Sequence, residues 1–318
     1  MDFIPRPTLA IGDLHGKLDA LKGNLEGADA LDSNGDWQHP ETDLVFLGDA
    51  ICDRGTDDLE VTALINRLHD QVEAAGGTCT TLVGNHDMQG VNFLAGEAPT
   101  IIMGPQCAGI RALASPVKTY PEYADPMDIY VDRMQSMVWT KSDEFWKRFV
   151  TTAAGQEVLR YCLGLDLFSV QGTTLFTHTP PTQTMLTALV YFPEVLNPTF
   201  KTRLATLLRQ QEAPTFSMEE TINFSSVECF LKADNRKDQV PLPSHPLWAK
   251  LRDKGIQRIV FGHDINSEGL WTFGGGMKPK VELLGLDRLY GSDKNRENCS
   301  VAWLYPDGRI NNGATCRI

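Results

Sequence analysis

The sequence predicts an α/β fold in which strand–helix units build a largely parallel sheet over residues 8 to about 95. Three observations predict it. The apolar, β-like runs Thr8-Leu9-Ala10-Ile11, Leu44-Val45-Phe46-Leu47 and Thr80-Thr81-Leu82-Val83 each end in a Gly-Asp or Gly-Asn turn. The first two are followed by apolar residues at helical spacing. Turn-forming clusters separate one unit from the next.

In order along the chain, Leu18, Leu21, Leu25 and Ala28 mark the first helix, and Asp32-Ser33-Asn34-Gly35-Asp36 turns the chain back to the second strand. Leu59, Ala63, Leu64, Leu68 and Val72 mark the second helix, with Asp57 or Asp58 as N-cap and Gly76-Gly77 as its stop. Residues 96 to about 165 break this rhythm: Gly and Pro punctuate 96–126, and Met134, Met137, Trp139, Phe145, Trp146 and Phe149 follow. That stretch reads as a mostly helical insertion. Strands resume at 167–170 and 174–177. A second helical stretch spans about 183–254, including 185–191, 201–210 and 247–254. Strands at 256–261, 270–273, 281–286 and 300–305 close the chain.

The whole is read as one domain over residues 1–318 with insertions at about 96–165 and 183–254. Asp and Glu outnumber Lys and Arg by 41 to 29, a net charge of −12, which argues against a nucleic-acid groove or an anionic membrane as partner. It leaves room for an anionic substrate, because metal ions can reverse the field inside one cleft. The seven cysteines include no CxxC pair and are odd in number, so a reducing compartment is expected rather than a disulfide framework. No run of 18 apolar residues occurs and the first residues lack the apolar stretch of a leader, so the expected location is cytoplasmic.

The chemistry lies at the strand ends. Asp13 and His15 follow the first strand, Asp49 the second and Asn85 the third, while His178 and His263 end two later strands. Open α/β sheets put their ligand sites there. Singly, each has a dull reading: a turn-forming Asp, a hydrogen-bonded loop His. Together, two Asp, three His and one Asn make the mixed oxygen and nitrogen inventory that a pair of divalent ions needs, with positions left for water and substrate. Cys52, inside the second motif, reads as a small filler rather than a catalytic thiol.

Gly12-Asp13-Leu14-His15-Gly16, then Gly48-Asp49-Ala50-Ile51-Cys52-Asp53-Arg54-Gly55, then Gly84-Asn85-His86-Asp87, followed by the two strand-end histidines, resemble the calcineurin-like metallophosphoesterase superfamily. Asp53-Arg54-Gly55 points to its phosphoprotein phosphatase branch, including the bacterial and Shewanella-like members. The resemblance covers 8–95 strongly, 167–180 and 256–305 in outline, and neither insertion. It implies a four-layer α/β/β/α sandwich of mixed sheets, with helical insertions capping a dimetal cleft. It further implies that Asp13 and His15 bind one metal, that Asp49 bridges both, and that Asn85, His178 and His263 complete the second. His86 would be the general acid, held by Asp53, while Arg54 would grip phosphoryl oxygens.

The metals expected are two Mn²⁺, with Fe or Zn fitting the same ligands. The expected reaction is hydrolysis of phosphate monoesters on phospho-Ser/Thr or phospho-Tyr side chains, by in-line attack of a metal-bridging hydroxide. Phosphorylated proteins or small phosphoesters are the expected partners. The third motif ends in Asp87, where protein phosphatases usually have Glu. That residue keeps a symmetrical dinucleoside-tetraphosphate hydrolase, or another nucleotide hydrolase, as the alternative. Tyr290, in Leu286-Asp287-Arg288-Leu289-Tyr290-Gly291, lies in a segment that borders the site in this superfamily and is a candidate for touching substrate. Arg111, Arg236 and Arg288 are candidates for a second phosphate-binding arginine.

Overall fold

The computed structural model describes residues 6–52, 55, 57–94, 152–209, 229–231, 240–242, 244–263, 270–271, 281–286 and 301–312. The first unit is as expected: β1 (Thr8–Ile11), α1 (Leu18–Gly27), β2 (Asp43–Phe46), α2 (Asp58–Ala74), β3 (Cys79–Thr81) and α3 (Asn85–Leu94). There follow α4 (Ala153–Gly164), β4 (Phe168–Gln171), β5 (Thr174–Thr177), α5 (Gln183–Tyr191), α6 (Pro193–Arg209) and α7 (Pro246–Asp253). Last come β6 (Arg258–Phe261), β7 (Leu270–Trp271), β8 (Glu282–Gly285), β9 (Val301–Leu304) and β10 (Ile310–Asn312).

Two five-stranded sheets result, in the orders β10-β9-β1-β2-β3 and β4-β5-β6-β8-β7. In the first, β1, β2 and β3 are parallel, as the strand–helix alternation predicts, while β9 joins β1 antiparallel and carries β10 at the edge. In the second, β5, β6 and β8 are parallel, flanked by antiparallel β4 and β7. Both sheets are mixed.

Side-chain alternation sets the layers, because successive strand residues face opposite sides. Ala10, Val45, Phe176, Val260, Leu284 and Ala302 pack together with Leu47, Leu82, Leu286 and Leu304 in one cluster drawn from both sheets. Their chain neighbours Leu9, Ile11, Leu44, Phe46, Leu175, Ile259, Phe261, Leu283 and Val301 belong to a larger cluster that includes the apolar stripes of the helices. The sheets therefore pack face to face with helices outside, giving the four-layer α/β/β/α sandwich. Each fully buried aliphatic chain in these layers contributes about 1.5–3 kcal/mol relative to exposure.

Asp57 is the N-cap residue of α2, but its side chain makes no capping bond there. Its carboxylate instead accepts from the N–H of Leu18 at 3.3 Å, tying the start of α1 to that of α2. β10 has no counterpart among the sequence expectations. Within the expected insertion at 96–165, residues 96–151, with their Met and aromatic side chains, lie outside the described residues; α4 forms its end and is helical as expected.

Candidate metal centre

Parallel strands bring the motif residues to one pole. Asp13 and His15 leave β1, Asp49 leaves β2, and Asn85 and His86 open α3 after β3. On the second sheet His178 follows β5 and His263 follows β6. The strand ends are tied together here: Gly262 N–H donates to His178 O at 2.9 Å within the second sheet, and His263 N–H reaches across to Asp13 Oδ2 on the first at 3.3 Å. The Asp49 carbonyl accepts the N–H groups of Leu14 and His15 at 3.0 and 2.7 Å, so the first two motifs form one interlaced turn.

Three expected ligands sit in the left-handed backbone region, which L-residues seldom adopt: His15 at φ 52°, Asp49 at φ 49° and His263 at φ 50°. Such conformations persist where the surroundings over-determine them, and they concentrate at functional sites. Close approach demands glycine beside them. A Cβ on Gly84 would overlap the side chain and N–H of Asp49, and one on Gly262 would overlap Asp13 Oδ1.

Two groups of donors share one residue. His15, Asp49 and His86 present ligand atoms within 4.8 Å of one another, and so do Asp49, His178 and His263. Asp49 is therefore placed between two nitrogen–oxygen clusters. Its side chain is fully buried, Oδ1 accepts the His86 N–H at 2.8 Å, and Oδ2 receives no hydrogen bond from any described residue. Burial alone would push this carboxyl up. The imidazoles of His178, His86, His263 and His15 more than offset that and hold it well below the usual carboxylate range.

His178 tests whether these residues fit a cation. Its Nδ1 lies 2.8 Å from the Leu47 carbonyl, which can only accept, so Nδ1 carries the proton and Nε2 presents a lone pair. That lone pair faces Asn85 Oδ1 at 3.2 Å and Asp49 Oδ1 at 3.5 Å. Burial pushes the imidazole down to about 4, so it gains no second proton at neutral pH. A nitrogen lone pair converging with two oxygens is repulsive without a positive ion among them, and orientation of the remote nitrogen by a carbonyl is how metal-binding histidines are held. The residues fit divalent cations.

Of the other expected site residues, Asp13 lies beside both clusters: His15 Nε2 is 3.9 Å from its Oδ2 and His178 Nδ1 is 4.0 Å from its Oδ1. His86 Nε2 is 3.9 Å from Asp49 Oδ2, and its ring meets His15 edge-on with centroids 5.2 Å apart. The structure thus brings His86 in beside the ligand cluster. Asp53, Arg54 and Tyr290 lie outside the described residues, as do Arg111, Arg236 and Arg288. Cys52 is buried, and burial, then the charges of Asp58 and Asp87, push its thiol well up, which accords with filler rather than nucleophile.

Sequence reasoning missed the supports beneath the ligands. Asp87 is fully buried and accepts the N–H groups of Asp49 and Gly84 on Oδ2, and those of Ala50 and Ile51 on Oδ1. Burial and the nearby Asp49 charge push it up to about 6. Tyr161 donates to it at 2.9 Å. Asp58, also fully buried, accepts the Cys52 N–H at 2.9 Å. The one available signal was Asp87 itself, an acid at the start of a helix directly after two expected site residues.

The match to the family described as calcineurin-like phosphoesterase runs over residues 6–282. Among curated relatives, Shewanella-like protein phosphatase 2 of Arabidopsis thaliana is 34% identical over 87 residues, which are 27% of this chain and 22% of that protein. The shared stretch thus spans about a fifth of the relative's length. Among solved structures, a cold-active protein tyrosine phosphatase aligns over 97% of this chain and 78% of its own, with a TM-score of 0.61 and 16% identity. Another, a cold-active protein-tyrosine phosphatase of a psychrophile Shewanella sp., aligns over 97% and 80% with a TM-score of 0.58 and 17% identity. Those two likenesses show the shared fold. With the strand-end donors, the shared Asp49 and a family match over most of its length, the chain belongs to the calcineurin-like phosphoesterase family.

Proposed function

We propose that this chain is a dimetal phosphatase that hydrolyses phosphate monoesters on proteins, at phospho-Ser/Thr or phospho-Tyr. The observation that carries the reading is Asp49, a buried carboxylate common to two clusters of nitrogen and oxygen donors. Asp13, His15, Asp49, Asn85, His178 and His263 would hold the ions, with Mn²⁺ the first to supply and Fe or Zn compatible with the same donors. Bound there, divalent ions supply positive charge for phosphoryl oxygens and acidify a water.

The protein's own residues would do the rest. His86, whose backbone N–H is held by Asp49, would give a proton to the departing oxygen. Asp53 would orient that imidazole. Arg54 would grip two phosphoryl oxygens with its planar fork, and Tyr290 would touch substrate. The protein-phosphatase choice draws on the 87-residue likeness to a Shewanella-like protein phosphatase and on the Asp53-Arg54 pair. Asp87, the residue that leans towards a nucleotide hydrolase, spends its carboxylate on backbone N–H groups away from solvent, so it would not itself touch a substrate.

Residues 1–318 are read as one catalytic domain with insertions at about 96–165 and 183–254. No helix among the described residues is long and apolar enough to cross a membrane. A cytoplasmic location is proposed from cysteine usage, which suits a reducing compartment.

Phosphate release from p-nitrophenyl phosphate, phosphopeptides and diadenosine tetraphosphate, each with and without Mn²⁺, tests the reading. Mn²⁺-dependent turnover of phosphopeptides well above the dinucleotide is expected. Turnover of the dinucleotide alone would replace the protein substrate with a nucleotide.

A further inference from the structure

Helix α4 carries no motif residue, yet it reaches the centre of the site. Tyr161 Oη donates to Asp87 Oδ1 at 2.9 Å, and both side chains are buried. Asp87 also accepts from Asp49 N–H at 2.7 Å, Gly84 N–H at 2.8 Å, and Ala50 and Ile51 N–H at 3.2 Å each. A carboxylate offers about four lone-pair directions, so these five donors saturate it. The bonds pin the turn that presents Asp49 in its left-handed backbone conformation. The carbonyl of that same residue accepts the His15 N–H, so the turn also sets His15. Burial and the Asp87 charge push the Tyr161 phenol well up, which keeps it a donor.

We propose that Tyr161 is a positioning residue for the metal centre: through Asp87 it holds the Asp49 turn in the geometry that binds both ions. This rests on the dimetal reading above. Asp87 lies in the first turn of α3, immediately after Asn85 and His86. One carboxylate therefore couples the turn after β2, the turn after β3 and α4. Removing the Tyr161 hydroxyl leaves the ring in place and takes away the only side-chain donor among the five.

The test is calorimetric titration of metal-free protein with Mn²⁺, comparing wild type, Tyr161→Phe, Asp87→Asn and Val158→Ala. Val158 is a buried neighbour one turn earlier on α4. Partners behind metal ligands are typically worth about 10–100-fold in affinity. Tyr161→Phe should therefore bind Mn²⁺ about 10-fold more weakly. Asp87→Asn, which sets amide hydrogens against backbone N–H groups, should lose more. Val158→Ala should lower Tm while leaving Mn²⁺ affinity within about twofold, because it removes packing and no bond to Asp87. Tyr161→Phe binding Mn²⁺ as wild type does, or Val158→Ala weakening it equally, would overturn the inference alone. Wild type that binds no Mn²⁺, Fe²⁺ or Zn²⁺ would overturn the dimetal reading and this inference with it.

Discussion

The backbone N–H of His86 donates to Oδ1 of Asp49 at 2.8 Å. This bond ties the expected general acid to the expected bridging carboxylate, and it leaves the two side chains facing each other across 3.9 Å. The second and third motifs are thus one mechanical unit. Substitutions at 49 and 86 should be non-additive, as for any two residues in one hydrogen-bonded network.

Asp49→Asn should abolish Mn²⁺-dependent phosphate release, by more than about 100-fold, since a direct ligand should matter more than the outer partners of a metal site. The folded far-ultraviolet spectrum should be kept, because an amide oxygen can still accept the His86 N–H. Near-normal turnover would remove Asp49 as the shared ligand.

His86→Asn should slow esters of poor leaving groups by about 10²–10⁴-fold while sparing p-nitrophenyl phosphate, whose phenoxide departs without a proton. Steady-state rates on alkyl and aryl esters compare the two. Equal losses on both would count against an acid and favour a ligand role beside His15.

Gly84→Ala should disable the site from the backbone. The new methyl would overlap Asp49 Oδ1 and N, so either the turn or the carboxylate must move. Loss of Mn²⁺ binding in equilibrium dialysis, together with a lower Tm, is expected. A variant that binds Mn²⁺ like wild type would show that the turn yields more easily than its hydrogen bonds suggest.

Asp58→Asn should flatten the pH dependence of stability in the metal-free protein. Burial pushes the Asp58 carboxyl up to about 8, only partly opposed by the Cys52 N–H, against an ordinary value of 3.8. A folded value above the unfolded one means that its contribution is full below 3.8 and is lost as pH rises through 8. Asp87, pushed up to about 6, completes its own loss earlier. Wild-type Tm should therefore fall from about pH 6.5 to about pH 8.5, and the Asn variant should fall less, by about 2 °C or more. Parallel curves would place the Asp58 carboxylate, ionised, in the folded state at neutral pH.

The candidate site was largely legible because its chemistry is local. Asp13, His15, Asp49, Asn85, His178 and His263 each directly follow a run that forms a strand, and strand ends are where parallel sheets gather ligands. The expected strand at 174–177 matches β5 in both bounds, and that at 8–11 matches β1, since alternating or continuous apolar runs bounded by turns leave little choice. β10 was missed: its residues, Ile310-Asn311-Asn312, carry a weak strand signal, and pairing with β9 is what makes them extended. Asp57 read as a cap for its own helix; the fold sends its carboxylate to Leu18, 39 residues earlier.

The sequence by itself determined the strand–helix order, the donors at each strand end and the family they resemble, because periodicity and turn chemistry act over a few residues. Tertiary structure alone decided that both faces of Asp49 are occupied, that His178 turns its lone pair inward through the Leu47 carbonyl 131 residues away, and that Tyr161 supports Asp87 across 74 residues. Those hydrogen bonds join groups far apart in the chain. The first exists only once two sheets pack face to face and the second only once α4 docks against α3, so no local pattern encodes either.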